Sequence, residues 1–263
     1  MRQFTAATHL IVSLAATAAA VITAFALPTV AQAADSTTSI NIGWGGKGME
    51  GSGRMVTVPR TIGAFSIVRV EGPLDVTAHP GSAPAVSVTA EDNIEPLIET
   101  VVDGQTLVLR LSRSASFRTH KKIAVDVAFT QLTGAQIRGS GDLNVDRPAG
   151  PRLDTSIDGS GDLRVSGATL TALGAQISGS GDITLSGTAD DASYSISGSG
   201  DIHAADLQGR RVTVEISGSG DARVHATESI DARIAGSGDI VYSGHPAKVA
   251  RKIAGSGSIS ATH

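Results

Sequence analysis

The 263-residue sequence contains no cysteine. That excludes a disulfide framework, a thiolate metal site and a lipid-modified cysteine behind an export leader. Large rings are also scarce: aromatic residues make up 3% of the chain, with Trp44 the single tryptophan, whereas a conventional globular core is built around more of them. Positive charge is not in excess, since 21 Lys and Arg stand against 25 Asp and Glu for a formal net charge of −4. Without a clustered positive field, no nucleic-acid partner is expected. The chain has no Gly-x-Ser-x-Gly elbow, no His-Glu-x-x-His helix and no phosphate loop. After the N-terminal leader no segment carries a long helical stripe, and the stretch Ile94 to Val101 could form at most one helical turn or a loop.

What the chain does have begins at its N-terminus. Arg2 precedes an apolar run from Leu10 to Ala26, and Ala31-Gln32-Ala33 places small residues where a signal peptidase reads them. Residues 1–33 therefore read as a secretory signal peptide, with the mature chain starting at Ala34 or Asp35 and no transmembrane segment left in it. Ser13, Thr17 and Thr23 dilute the run, against a retained membrane helix. Removing Arg2 leaves 20 basic against 25 acidic residues, a net charge of about −5. Residues 34–59 hold Gly43, Gly45, Gly46, Gly48, Gly51 and Gly53 without steady apolar periodicity and read as a Gly-rich linker.

From Phe65 onward the pattern is that of strands. Val68, Val70, Gly72, Leu74 and Val76 share one parity, Leu107, Leu109 and Leu111 alternate, and Ile123, Val125, Val127 and Phe129 form the cleanest run. Residues 60–135 thus form an N-terminal set of strands expected to cap and extend a solenoid. Residues 136–263 carry a Gly-Ser-Gly-Asp repeat whose first glycines are Gly139, Gly159, Gly179, Gly198, Gly218, Gly236 and Gly255, at intervals of 20, 20, 19, 20, 18 and 19. That period is too short for a propeller blade and lacks the Leu-x-x-Leu-x-Leu signature, which leaves an all-β solenoid of the β-helix type with rungs of about 20 residues. Within a rung Ile137, Gly139, Gly141, Leu143 and Val145 share the inward parity, and Arg138, Ser140, Asp142 and Asn144 the outward one. The second half alternates as in Leu153, Thr155 and Ile157, or Val212, Val214 and Ile216, after turn residues such as Pro148-Ala149-Gly150. Paired inward glycines imply a sharp corner or close backbone approach. The last copy replaces Asp with Ser258 and comes after Lys248, Arg251 and Lys252, as suits a charged terminal rung.

The chain resembles the bacterial family of the auto-transporter adhesin head, or GIN domain. The likeness is carried by Phe65-Ser66-Ile67-Val68-Arg69-Val70-Glu71-Gly72, Leu74-Asp75-Val76, Val86-Ser87-Val88, Asp92-Asn93-Ile94, Glu99, Val101, Asp103-Gly104 and Leu107-Val108-Leu109, running into the Gly-Ser-Gly-Asp copies over about residues 60 to 260. The resemblance implies a right-handed parallel β-solenoid, export to the bacterial envelope and an adhesive role. It brings no catalytic or binding residues.

The outward column Asp142, Asp162, Asp182, Asp201, Asp221 and Asp239 is the most suggestive chemistry. Carboxylates about 4.8 Å apart repel by roughly 1 kcal/mol in water and more at lower dielectric, so they must be solvated, hydrogen-bonded or neutralised by a cation. Calcium is one reading, since Gly-rich Asp repeats bind it in nine-residue β-rolls, but this repeat has twice that period and one Asp per turn. The other reading is that Asp and Ser bond backbone N–H groups at the glycine corner. His79, His120, His203, His225, His245 and His263 are scattered. No catalytic or cofactor residue is assigned. The enzyme alternative is a polysaccharide-active β-helix, for which Asp190-Asp191 is the one paired acidic departure from the repeat. The expectation is a non-catalytic, adhesin-like or scaffold module, periplasmic or at the cell surface. Its repeated polar face would meet glycans, envelope polymers or another copy of itself by multivalent contact.

Overall fold

The computed structural model describes residues 40–42, 48–113 and 115–262. The expected leader, residues 1–33, lies outside them. The described chain is almost entirely β-structure, because apolar and polar residues alternate at period two over most of its length. Its strands are β1 (Ile40–Ile42), β2 (Met49–Glu50), β3 (Met55–Arg60), β4 (Ile67–Glu71), β5 (Asp75–Pro80), β6 (Ala85–Glu91), β7 (Ile98–Asp103), β8 (Thr106–Leu111), β9 (Phe117–Thr119) and β10 (Ala124–Phe129). Then come β11 (Gly134–Gly139), β12 (Asp142–Asp146), β13 (Ala149–Gly159), β14 (Leu163–Gly179), β15 (Ile183–Gly198), β16 (Ile202–Gly218), β17 (Ala222–Gly236), β18 (Ile240–Ser243), β19 (Lys248–Gly255) and β20 (Ile259–Ala261). The stretch Ile94 to Val101 divides into a single 3-10 turn, Glu95–Leu97, and the start of β7.

From β13 onward one long strand wraps most of a rung and pairs in parallel with the next, in the order β13, β14, β15, β16, β17. The result is a parallel β-solenoid. The registers repeat the sequence period: Ile157 pairs with Ile177, Ile177 with Ile196, Ile196 with Ile216 and Ile216 with Ile234. Each rung therefore presents the same residue type to the same column. The inward columns are fully buried, as in Leu163, Ile183, Ile202, Ala222 and Ile240, each at 1% exposure or less. Burying one such side chain is worth about 1.5 to 3 kcal/mol, which explains how a core with few rings can hold.

The alternation is not continuous around a rung. In β14 the buried residues are Leu163 and Val165, then Ala168 and Leu170, then Leu173, Ala175 and Ile177. The parity slips after Val165 and again after Leu170, and in β16 after Ala204 and after Gly209, whereas β15 slips once, after Ala189, and β17 keeps one parity from Ala222 to Ile234. Parity read from sequence as two halves is thus three short faces in β14 and β16.

The two glycines of the motif do not share a face. Gly141, Gly161, Gly181, Gly200, Gly220 and Gly238 are buried, whereas the first glycine of each copy is at least partly exposed. The reason is conformational: the first glycine has positive φ, as at Gly159 (φ +144°) and Gly218 (φ +145°), which turns the chain and breaks the strand parity. Both glycines are nonetheless needed for close approach. A Cβ on Gly161 would lie 2.0 Å from the carbonyl oxygen of Gly141, and one on Gly159 would lie 2.1 Å from that of Gly139.

The strands before the repeat stack onto it. β4 pairs in parallel with β11, and β5 with β12; one layer further, β8 pairs in parallel with β4, and β10 with β5. Beyond these the direction reverses, since β7 is antiparallel to β8, β6 to β10 and β3 to β6. A small separate sheet joins β1, β9 and β2. The expected linker at 34–59 needs correction where it is described. Met55–Arg60 is a full strand whose Val58 pairs with Val88, and β1 and β2 are paired as well. Its glycines masked the alternation of Met55 to Arg60, and the partner strand β6 lies some thirty residues away in sequence.

Candidate functional site

The Asp column sits at the Gly-Ser-Gly-Asp corner, where the backbone changes direction and strand pairing leaves N–H groups to be satisfied. Each Asp serves the next. Asp142 Oδ1 accepts the backbone N–H of Asp162 at 3.2 Å, Asp162 that of Asp182 at 3.2 Å, and Asp182 that of Asp201 at 2.9 Å. Asp201 accepts that of Asp221 and Asp221 that of Asp239, both at 2.8 Å. The series ends where Asp239 Oδ1 accepts both the backbone N–H and the hydroxyl of Ser258, at 2.7 and 2.9 Å. The backbone of the same corner is paired too: Ser180 N–H donates to Gly159 O, and Leu163 N–H to Asp182 O, both at 2.9 Å. The six carboxylates form a ladder of brackets, each clamping one rung to its neighbour.

One member of this column was hidden in the sequence. Asp75 lies in register with Asp142, and Gly72 with Leu74 takes the place of a rung corner: Gly72 N–H donates to Arg138 O at 3.0 Å, and Asp142 N–H to Leu74 O at 3.0 Å. The spacing from Gly72 to Asp75 equals that from Gly139 to Asp142, which is the signal that could have shown it. The Lys122 ammonium lies 3.1 Å from Asp75 Oδ2. Partial burial raises the pKa of the Asp142 carboxyl; the bond from Asp162 N–H opposes this, and the charges of Asp75 and Asp162 add to it. Among the described residues no group of three or more His, Cys, Asp or Glu could hold a metal ion.

The remaining candidates are dispersed. Asp190 and Asp191 lie at a bend and are both engaged by arginine: Arg210 reaches Asp190 at 3.3 Å and Glu228 at 2.5 Å, and Arg211 reaches Asp191 at 2.5 and 2.7 Å. The hydrogen bond from Arg211 holds the Asp191 carboxyl below its usual range. A glycoside-cleaving acid requires the opposite shift. His79 Nε2 lies 3.1 Å from Asp126 Oδ1; burial pushes its pKa down, but the bonds to Asp126 and to Pro80 O outweigh this and raise it. His225 Nδ1 meets Ser243 Oγ at 2.9 Å. His263 lies outside the described residues.

Sequence reasoning missed a second kind of surface. On the flank formed by β11, β13 and β14 a shallow trough crosses three rungs, with Gln136, Ser156 and Gln176 in one column and Arg138, Asp158 and Ser178 in the next. Amide, hydroxyl, guanidinium and carboxylate groups alternate there at the rung spacing. Sequence reasoning placed Arg251 in a charged terminal rung but not against Tyr242. This residue occupies an inward position on β19, in register with buried Ala232, and its guanidinium lies 5.1 Å from the ring centroid of Tyr242 and bonds the Tyr242 hydroxyl. The guanidinium thus covers the buried ring of Tyr242 at the end of the solenoid.

Solved structures share this architecture. An adhesin of Bacteroides fragilis, described as putative, is 28% identical, with 82% of this chain and 100% of that chain covered and a TM-score of 0.78. A protein of Parabacteroides distasonis described as a putative lipid binding protein is likewise 28% identical over 82% and 100% of the two chains, with a TM-score of 0.69. A putative adhesin of Parabacteroides merdae, at 24% identity, 82% and 99% coverage and a TM-score of 0.63, shows the same fold. No curated protein matches the chain. No helix among the described residues is long and apolar enough to cross a membrane, which leaves membrane crossing by strands unaddressed. Residues 64–246 match the family described as putative auto-transporter adhesin, head GIN domain, and with the solenoid, its corner ladder and these relatives in place, the chain belongs to that family.

Proposed function

We propose that this chain is a non-catalytic, adhesin-like module exported to the bacterial envelope, which holds a polymeric polar ligand along the flank of its rungs. The observation that carries this reading is the trough across β11, β13 and β14, where Gln136, Ser156 and Gln176 stand in register beside Arg138, Asp158 and Ser178. A sugar polymer offers hydroxyls at a regular spacing, and several weak contacts on one rigid frame add through effective concentration. The Asp column is read as an internal bracket, supported by its bonds to successive backbone N–H groups. The leader read at residues 1–33 supplies the route out of the cytoplasm.

Binding to surface-polysaccharide and glycan arrays tests the flank. Capture of a polysaccharide class by the wild type, lost in the combined variant Gln136→Ala, Arg138→Ala, Gln176→Ala, is the expected result; capture unchanged in that variant overturns it. Vesicles of bacterial phospholipid form a second arm, prompted by the lipid-binding description of the Parabacteroides distasonis relative, and binding to vesicles alone would replace the glycan reading. N-terminal sequencing of the protein from fractionated cells is expected to begin at Ala34 or Asp35. A melting temperature raised by millimolar Ca²⁺ would overturn the bracket reading of the Asp column in favour of a cation ladder.

A further inference from the structure

The five large apolar side chains that stand out as exposed lie on strands outside the repeated flanks: Met49, Met55 and Val101 on β2, β3 and β7, and Val249 and Ile253 on β19. One continuous sheet joins β7 to β19 through β8, β4, β11, β13, β14, β15, β16 and β17. Among the described residues β7 is in register with β8 alone and β19 with β17 alone. Each of these edges offers a row of backbone N–H and C=O groups to another chain.

The two edges differ in charge. On β19 the outward parity holds Lys248, Ala250 and Lys252, and the inward parity holds Val249, Arg251 and Ile253, all of them exposed. On β7 one parity holds Glu99, Val101 and Asp103, and the other holds Ile98, Thr100 and Val102, in register with Leu111, Leu109 and Leu107 of the core face. An acidic edge and a basic edge thus terminate the same sheet, each with apolar residues on the face that continues the core.

We propose that the β19 edge of one copy pairs with the β7 edge of the next, joining solenoids head to tail. Because β7 runs against the direction of the repeat strands while β19 runs with it, the new pair is antiparallel. Lys248 and Lys252 then face the side that carries Glu99 and Asp103, and Val249 and Ile253 meet the side of Ile98 and Val102. Like-to-like joining is disfavoured, since β19 against β19 sets lysine against lysine and β7 against β7 sets carboxylate against carboxylate. The other sheet column ends in β3, where Pro59 lacks an N–H and blunts the edge. A head-to-tail contact does not close on itself and produces chains of copies. The inference is independent of the glycan reading, since it uses the ends of the solenoid and that reading uses the flank.

Sedimentation velocity of the purified protein over a concentration series, at low and at high salt, tests it. The wild type is expected to form a ladder of oligomers that shortens as salt screens the attraction. Lys248→Glu with Lys252→Glu makes both ends acidic, and Val101→Lys with Asp103→Lys makes both ends basic. All four positions are exposed, so both variants are expected to fold. Each alone should raise the concentration at which oligomers appear by at least about tenfold, and an equimolar mixture should restore assembly, because each then supplies the end the other lacks. A wild type that stays monomeric throughout, oligomers indifferent to both variants, or a mixture that fails to assemble would each overturn the proposal. The first of these outcomes would make the edge lysines a guard against pairing.

Discussion

At the residue scale the two glycine columns and the Asp column divide the work of one corner. The glycines let successive backbones come within van der Waals contact, and the Asp side chains then satisfy the N–H groups that this geometry turns away from the ladder. Gly181→Ala is expected to cost about 3 kcal/mol or more, because the new Cβ would lie 2.0 Å from Gly161 O. Gly63→Ala, with no atom within 4 Å of its Cβ position, should stay within about 0.5 kcal/mol. Chemical denaturation of the two variants measures the difference. Asp182→Asn keeps an acceptor for Asp201 N–H and removes one charge from the column, so it should be neutral or slightly stabilising, whereas Asp182→Ala leaves that N–H without its partner at about 1 to 2 kcal/mol. If the column held a cation, the order of these two would narrow or reverse on adding the ion.

The same column makes a prediction about pH. The carboxyl of Asp142 is raised by burial and by its acidic neighbours, so the stability linked to it is present below the ordinary aspartate range and is lost as pH rises through its folded value. Asp191 behaves in the opposite sense: held down by Arg211, it contributes above the ordinary range and loses that contribution as pH falls through its folded value. Carboxyl carbon titration by NMR should place Asp142 above a free aspartate and Asp191 below it. Equal midpoints would contradict the burial of Asp142 and the pairing of Asp191 with Arg211.

At the scale of the element, strand boundaries in the repeat were legible because a rung of 18 to 20 residues repeats its own parity, and seven copies average out local exceptions. The three-faced rung was not. A parity slip such as that between Val165 and Ala168 looks in sequence like a loose turn, and β15 has no matching slip, since Leu185 and Gly187 keep one parity where the register shifts. The strand at Met55–Arg60 was hidden for a related reason: it is paired by β6, antiparallel to it, and nothing local announces that partner. Arg251 reads in sequence as one charge of a terminal rung, and its strand position sets it over Tyr242. Arg251→Ala should lower stability by about 1 kcal/mol and speed hydrogen exchange first in β19 and β20, the terminal strands, while exchange in β15 stays unchanged.

At the scale of the whole molecule, nearest-neighbour stacking governs. Each rung touches the one before and the one after, so stability is close to a sum of rung and interface contributions. Deleting Gly179 to Ser197, one complete rung, sets Gly198 in the place of Gly179 and preserves every column. The shortened chain is expected to fold cooperatively with lower stability and a smaller denaturant dependence, since less surface is exposed on unfolding. Deleting about half a rung from the same region would set inward residues against outward ones and should abolish cooperative unfolding. Circular dichroism with urea titration distinguishes the two deletions. A glycan held along the flank would lose affinity on removal of the rungs it spans, while head-to-tail joining, which needs the ends alone, would survive the deletion.

The sequence by itself determined the rung: its length, its inward aliphatic columns, its glycine corner and its outward Asp, because each of these is a local rule repeated at a fixed period. The tertiary structure alone decided what each exposed group stands against. An Asp can bracket a backbone N–H because the next rung stacks close enough to bring that N–H within 2.7 to 3.2 Å of the carboxylate oxygen. Whether Lys248 is a solvated charge or one side of an edge facing Glu99 and Asp103 of another copy depends on which strands lie at the two ends of the sheet. Periodicity cannot carry that information, since the ends are where the period stops.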